Sequence, residues 1–206
     1  MANPTPAFSI RTSEPAWREN SDGVWTWHPE PHVNRIYEPF NDHQLRTHGA
    51  YHEAGHTIAA LTAGLTVDAI HLAPSGQGDM FHSVISGTIF RWTHYVTMLA
   101  AGERAADRWL RESGLWTEER AWSVERGART DRATAIAFAA KHGEQLTLTA
   151  HPWDGWTQIC SYADGRLNTH WERVVRLADA LAQNGSLDAS AIQDVTELPA
   201  SPEGRR

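Results

Sequence analysis

The 206-residue chain fits one domain with a substantial core and leaves no room for two ordinary catalytic domains and a linker. An apolar fraction of 41% and a charged fraction of 21% exclude wholesale disorder. A net charge of -7 with scattered Lys and Arg argues against a nucleic-acid partner, and the single Cys160 excludes an internal disulfide and a thiolate metal cluster. Any metal must therefore be held by His and carboxylates. Cysteine usage fits a reducing compartment, and Met1 to Ile10 has neither a basic n-region nor an apolar h-region. No run approaches the roughly 18 apolar residues of a membrane span. The expectation is a soluble, cytoplasmic protein with no membrane partner.

Residues 1–44 are rich in Pro, Asn and Trp without a sustained period, which predicts an irregular segment with one short strand, its Trp17, Trp25 and Trp27 covering the body or forming a lid. The main domain is expected over 45–195. Gln44 to Ala63 is helix-compatible, with Ala54, Ile58 and Leu61 on one side and Gly64 as C-cap. Thr66 to Ala73 reads as a strand, with Val67, Ala69 or Ile70, and Leu72 inward. Pro74 to Gly78 is a turn, and Met80 to Phe90 is further strand, giving a small antiparallel sheet.

Thr93 to Glu112 returns to helical spacing, and Ala100, Ala101, Gly102 and Ala105 make a flat patch that another helix can approach closely. A helix is expected from near Ala128 to His142, a loop over 147–166, an amphipathic helix over Asn168 to Gln183, a short helix over Leu187 to Val195, and a disordered tail over 196–206. The fold class is mainly α with a small antiparallel β-sheet.

The chemistry centres on His52-Glu53-Ala54-Gly55-His56. Histidines four apart on a helix are separated by about 400° of rotation, so both imidazoles leave nearly one face and can grip one ion. Glu53, about 100° round from His52, falls beside the open position of a bound Zn2+. Zn2+ lowers the pKa of water toward about 7, and the neighbouring Glu can take its proton as the water attacks a peptide carbonyl. Ala54 and Gly55 free the helix to pack closely behind the site. No His occupies positions 57–65, so the third ligand of an HExxHxxGxxH site is missing. The other ten histidines are spread along the chain and read as surface or core residues, and Cys160 has no activating context.

Ala50-Tyr51-His52-Glu53-Ala54-Gly55-His56 resembles the zinc helix of the peptidase domain of FtsH-type ATP-dependent membrane proteases. Ala101-Gly102-Glu103-Arg104-Ala105-Ala106-Asp107 is similar to that family's Gly-Gly-Arg-Ala-Ala-Glu helix, and Gly127-Ala128-Arg129-Thr130-Asp131 to its Gly-Ala-x-x-Asp helix start. The likeness spans roughly residues 45–195 and implies a zincin-like fold. It also implies that Asp131 completes the metal site. Helix capping by Asp131 and a Glu103 ligand oriented by Asp107 are the competing readings. The resemblance places a substrate strand at Gly78, Asp79, Met80 and Phe81, where an extended peptide would add to an exposed edge; an ordinary hairpin is the plain alternative.

The family's membrane anchor and ATPase module have no counterpart in these residues, which contain no Gly-x-x-x-x-Gly-Lys-Ser/Thr loop. The expected activity is ATP-independent zinc endopeptidase action on peptides or flexible protein segments. The alternatives are a non-proteolytic zinc-binding regulatory module and a hydrolase or biosynthetic enzyme acting on a non-peptide amide.

Overall fold

The computed structural model describes residues 40–72, 91–147 and 155–199, together with the backbone of strand segments 16–19, 25–28 and 78–83. Among them the chain is mainly helical with small antiparallel sheets. No helix among the described residues is long and apolar enough to cross a membrane.

The central element is α1, Asp42–Ala63. A reciprocal capping box starts it: the Asn41 side chain accepts from the Gln44 amide at 2.9 Å, and the Gln44 side chain accepts from the Asn41 amide at 3.2 Å. Gly64, at φ 84°, ends it in the left-handed region, where its N–H closes on the Ala60 and Leu61 carbonyls. Ala50, Ala54, Ile58 and Leu61 are fully buried or nearly so. Each large aliphatic side chain so buried contributes about 1.5–3 kcal/mol relative to exposure.

Two strands follow, β3 (Thr66–Leu72) and β4 (Gly78–Ser83), which numerically succeed the paired segments β1 (Ala16–Glu19) and β2 (Trp25–His28). A bulge in β3 lies between Val67 and Ala69, leaving Asp68 without a partner in the ladder and shifting the side-chain phase. Val67, Ile70 and Leu72 are consequently the buried set. Strand β5 (Ser186–Asp188) pairs on the other side of β3, so the sheet order is β4-β3-β5, with β4 at an edge among the described residues.

Helix α2, Trp92–Glu112, runs against α1. The flat patch expected from Ala100 to Ala105 is the contact surface. A Cβ on Gly55 would come within 2.7 Å of the Ala105 Cβ and 2.9 Å of the Ala101 carbonyl carbon, so the two backbones approach as closely as glycine permits. The chain continues through α3 (Glu118–Gly127), α4 (Arg129–Lys141), α5 (Gly155–Thr169), α6 (Trp171–Asn184) and α7 (Ala189–Thr196).

Several expectations need correction. The loop expected over 147–166 is largely α5, whose Trp156, Ile159, Ala163 and Leu167 are buried at helical spacing; Gly155 and Gly165 disguised it. Gly165 is exposed and a Cβ there would meet nothing, so the helix tolerates it. Helix α3 was not anticipated, although Thr117 caps it through the Arg120 amide and Glu118-Glu119 open its first turn. Helix α6 begins at Trp171 rather than Asn168 because α5 extends to Thr169. Leu187 belongs to β5, and the last helix starts after the Asp188 cap. The single N-terminal strand is a pair, β1 and β2. Residues 84–90 of the expected second strand and 200–206 of the tail lie outside the described residues.

Gly55→Ala should destabilise the protein by about 1–3 kcal/mol through overpacking. Gly165→Ala should be stabilising by about 0.5–1 kcal/mol. Chemical denaturation of the two variants separates a close-approach glycine from an incidental one.

Candidate metal centre

His52 and His56 project from one face of α1 with ring centroids 4.5 Å apart and planes at 89°. Their Nε2 atoms are 2.9 Å apart. Asp131, in the first turn of α4, places Oδ2 3.2 Å from the His52 Nε2 and 3.4 Å from the His56 Nε2. The three donor atoms thus form a nearly equilateral triangle. Ligands at 2.0–2.1 Å around a tetrahedral ion are separated by about 3.3 Å, so the spacing suits a small divalent cation. Among the described residues this is the group of His, Cys, Asp and Glu side chains that meets the requirements of a metal site.

The protonation pattern also fits. The His56 Nδ1 donates to the Met98 carbonyl at 2.8 Å, so in the neutral ring the Nε2 lone pair faces His52 and Asp131. Two ring nitrogens and a carboxylate oxygen at such distances require a cation or a proton among them. In the metal-free protein a proton fills that role. Burial draws the His56 pKa down, but the charge and hydrogen bond of Asp131, with Glu53 and the Met98 carbonyl, carry it up to about 9. Burial likewise opposes the Asp131 charge, yet His56 and His52 hold its carboxyl well below the usual carboxylate range.

Asp131 belongs to the helix start in a second sense, since a carboxylate in the first turn is favoured by the helix dipole. It does not cap: Ala128 is the N-cap and makes no side-chain bond. Glu103 is committed elsewhere. Its carboxylate accepts from the Arg132 Nε at 2.9 Å and Nη2 at 2.6 Å, deep in the protein. Asp107, expected as its orienting partner, instead pairs with Arg111 and Arg104.

Glu53 is buried on α1, close enough to His56 for its charge to be felt there. His48, one turn before His52, is a core residue, its ring 5.2 Å from that of Phe40 and 6.4 Å from that of Trp109. Burial and then His52 push its pKa down to about 3, so it adds no positive charge beside the site. Cys160 is inert because burial, then Glu103, push its thiol up. Gly78, Asp79, Met80 and Phe81 fall on the edge strand β4, which neighbours α1.

Three contributors escaped the sequence reading. The Met98 carbonyl carries no side-chain signal. Gly102 was legible as a packing residue only, whereas a Cβ there would strike the ligands, 2.6 Å from the His56 Cε1 and 2.9 Å from the His52 Cε1. Arg132 had a usable signal: with Ala135 and Ala139 it lies on the buried stripe of α4, a charge where the helical period calls for an apolar residue. A comparison with family models finds no match, and a comparison with curated proteins finds none either.

Metal binding must displace the His56 proton, so apparent zinc affinity should rise about tenfold per pH unit from pH 7 to about 9 and level off above, measured by chelator competition. The metal-free protein behaves oppositely. The folded pKa of His56 exceeds its unfolded value of about 6.5, so its contribution to stability is complete below that value and is lost as pH rises through about 9. Gly102→Ala should weaken zinc binding about tenfold or more while leaving helix content intact by circular dichroism.

Proposed function

We propose that the protein is a zinc peptidase that hydrolyses peptide bonds in short peptides or flexible protein segments without ATP. The observation that carries this reading is the convergence of His52, His56 and Asp131 with Glu53 next in sequence on the ligand helix. The motif likeness to FtsH-type peptidase domains over residues 45–195 points the same way.

The ligand set gives zinc two imidazoles and one carboxylate, the composition of hydrolytic rather than structural sites. Bound there, Zn2+ supplies Lewis acidity, lowering the pKa of water toward about 7 and polarising a carbonyl oxygen. His56 is held in the correct tautomer by the Met98 carbonyl. Asp131 adds the negative charge and leaves the site reachable, with its side chain 21% exposed. Glu53 is the proton carrier: its carboxylate accepts a proton from the attacking water and returns it to the leaving amine. Its charge is felt at the His56 ring. A structural site has no chemical use for such a carboxylate.

Substrate would lie along β4. Its outer edge has no strand partner among the described residues, and an extended peptide adds to such an edge through backbone hydrogen bonds that tolerate many side chains. Recognition of this kind selects extended or locally unfolded chain. The reaction proposed needs only an activated water and the Glu53 carboxylate.

Glu53→Gln should retain stoichiometric zinc and lose about 10²–10⁴-fold in kcat on unstructured peptides. Hydrolysis at the wild-type rate by this variant would sink the proposal. Activity confined to small non-peptide amides would move the assignment to an amidohydrolase.

A further inference from the structure

The third ligand sits on a helix whose fully buried apolar residues are two alanines. Helix α4 buries only Arg132, Ala135 and Ala139, and its N-cap makes no side-chain bond. Its far end is held by the ring of Phe138 against Tyr95 of α2, with centroids 4.4 Å apart. Small alanine side chains at Ala128, Ala135 and Ala139, with Ile136 and the ring pair further along, give its first turn no large buried apolar side chain of its own. Yet that turn must deliver one oxygen of Asp131 to within 3.2 and 3.4 Å of two ring nitrogens.

The restraint at the near end is ionic. Arg132 donates through Nε and Nη2 to both oxygens of Glu103 on α2, and through Nη1 to Glu125 on α3. All three guanidinium nitrogens are engaged, so the plane of the group is fixed as well as its position. Its central carbon lies 5.7 Å from the ring of Trp156 on α5. Glu103 follows Gly102, which lies against the ligand imidazoles, and Arg132 follows Asp131, which reaches them. Adjacent residue pairs on α2 and α4 therefore face each other, one member of each at the metal site and the other in the ion cluster.

Resting on the metal-site reading above, we infer that the Glu103–Arg132–Glu125 cluster positions Asp131, so that an ion pair which never touches the metal sets the affinity and geometry of its site. Such a buried cluster contributes little net stability compared with apolar packing, and its value lies in fixing one arrangement. Arg132 and Glu103 are positioning residues: they act through Asp131.

The test is a double-mutant cycle on zinc affinity, with the visible spectrum of the cobalt-substituted protein as a second readout. Arg132→Lys keeps the charge and loses the fork. It should bind zinc about tenfold to a hundredfold more weakly and shift the cobalt bands toward those of Asp131→Ala. In the Asp131→Ala background, Arg132→Lys should cause no further loss, because its effect passes through the missing carboxylate. Glu103→Gln, nearly isosteric, reads the same cycle if Arg132→Lys does not fold. Wild-type zinc affinity in either folded variant, or a loss that adds in full to that of Asp131→Ala, overturns the inference. Peptide hydrolysis by the unmodified protein is read in parallel. Zinc binding with a coupled cycle but no hydrolysis removes the peptidase assignment and leaves this inference standing; failure of the unmodified protein to bind zinc removes both.

Discussion

The His52–His56–Asp131 cluster, a candidate metal centre, depends on how closely α1 and α2 approach. With a side chain at Gly55 the helices would be forced apart at Ala101 and Ala105, and with one at Gly102 the ligand rings themselves would be displaced. At this distance one turn of α2, from Met98 to Gly102, covers the imidazoles: a carbonyl orients His56, and a bare Cα leaves room for both rings. Rings confined in this way lose little further freedom when they bind an ion, which favours tight, geometrically defined coordination.

Electrostatics around the site separate into a donor set and a frame. The donor set has one charged carboxylate and two rings, with a neighbouring core histidine kept neutral by burial. The frame consists of ion pairs along α2, where buried Glu103 meets buried Arg132, buried Asp107 meets Arg111, and Arg104 meets the exposed Asp164. The first and last of these join α2 to α4 and α5 at fixed points, while Asp107 and Arg111 pair within α2, and the aliphatic core around Ile58, Leu110 and Leu177 supplies the bulk of the cohesion.

Much of this was legible in the sequence because it follows from local rules. The helix carrying the candidate metal ligands announces itself by a four-residue histidine spacing, its end by Gly64, and its partner by the small-residue run from Ala100 to Ala105. The phase of β3 was ambiguous between Ala69 and Ile70 because a bulge is a property of two strands, not one. Helix α5 was hidden by glycines that mark loops on average but here sit at the start of the helix and on an open face. The rejection of Glu103 as a ligand needed three-dimensional information, since nothing in its own neighbourhood reveals that Arg132 lies opposite. Asp131 was reached through likeness of motif, and the spatial meeting of α1 and α4 is what gives that likeness a geometric counterpart.

The ligands are also ordered in time. During synthesis the histidine pair leaves the ribosome well before the aspartate, so an early-captured ion would be held by two imidazoles alone and would exchange readily. Only when the later helix docks does the cage close, and the ion then becomes a rivet between distant parts of the polypeptide. Release of such an ion would free the first turn of α4, where no large apolar side chain is buried, so a metal-loaded form would resist local opening there more than the metal-free form.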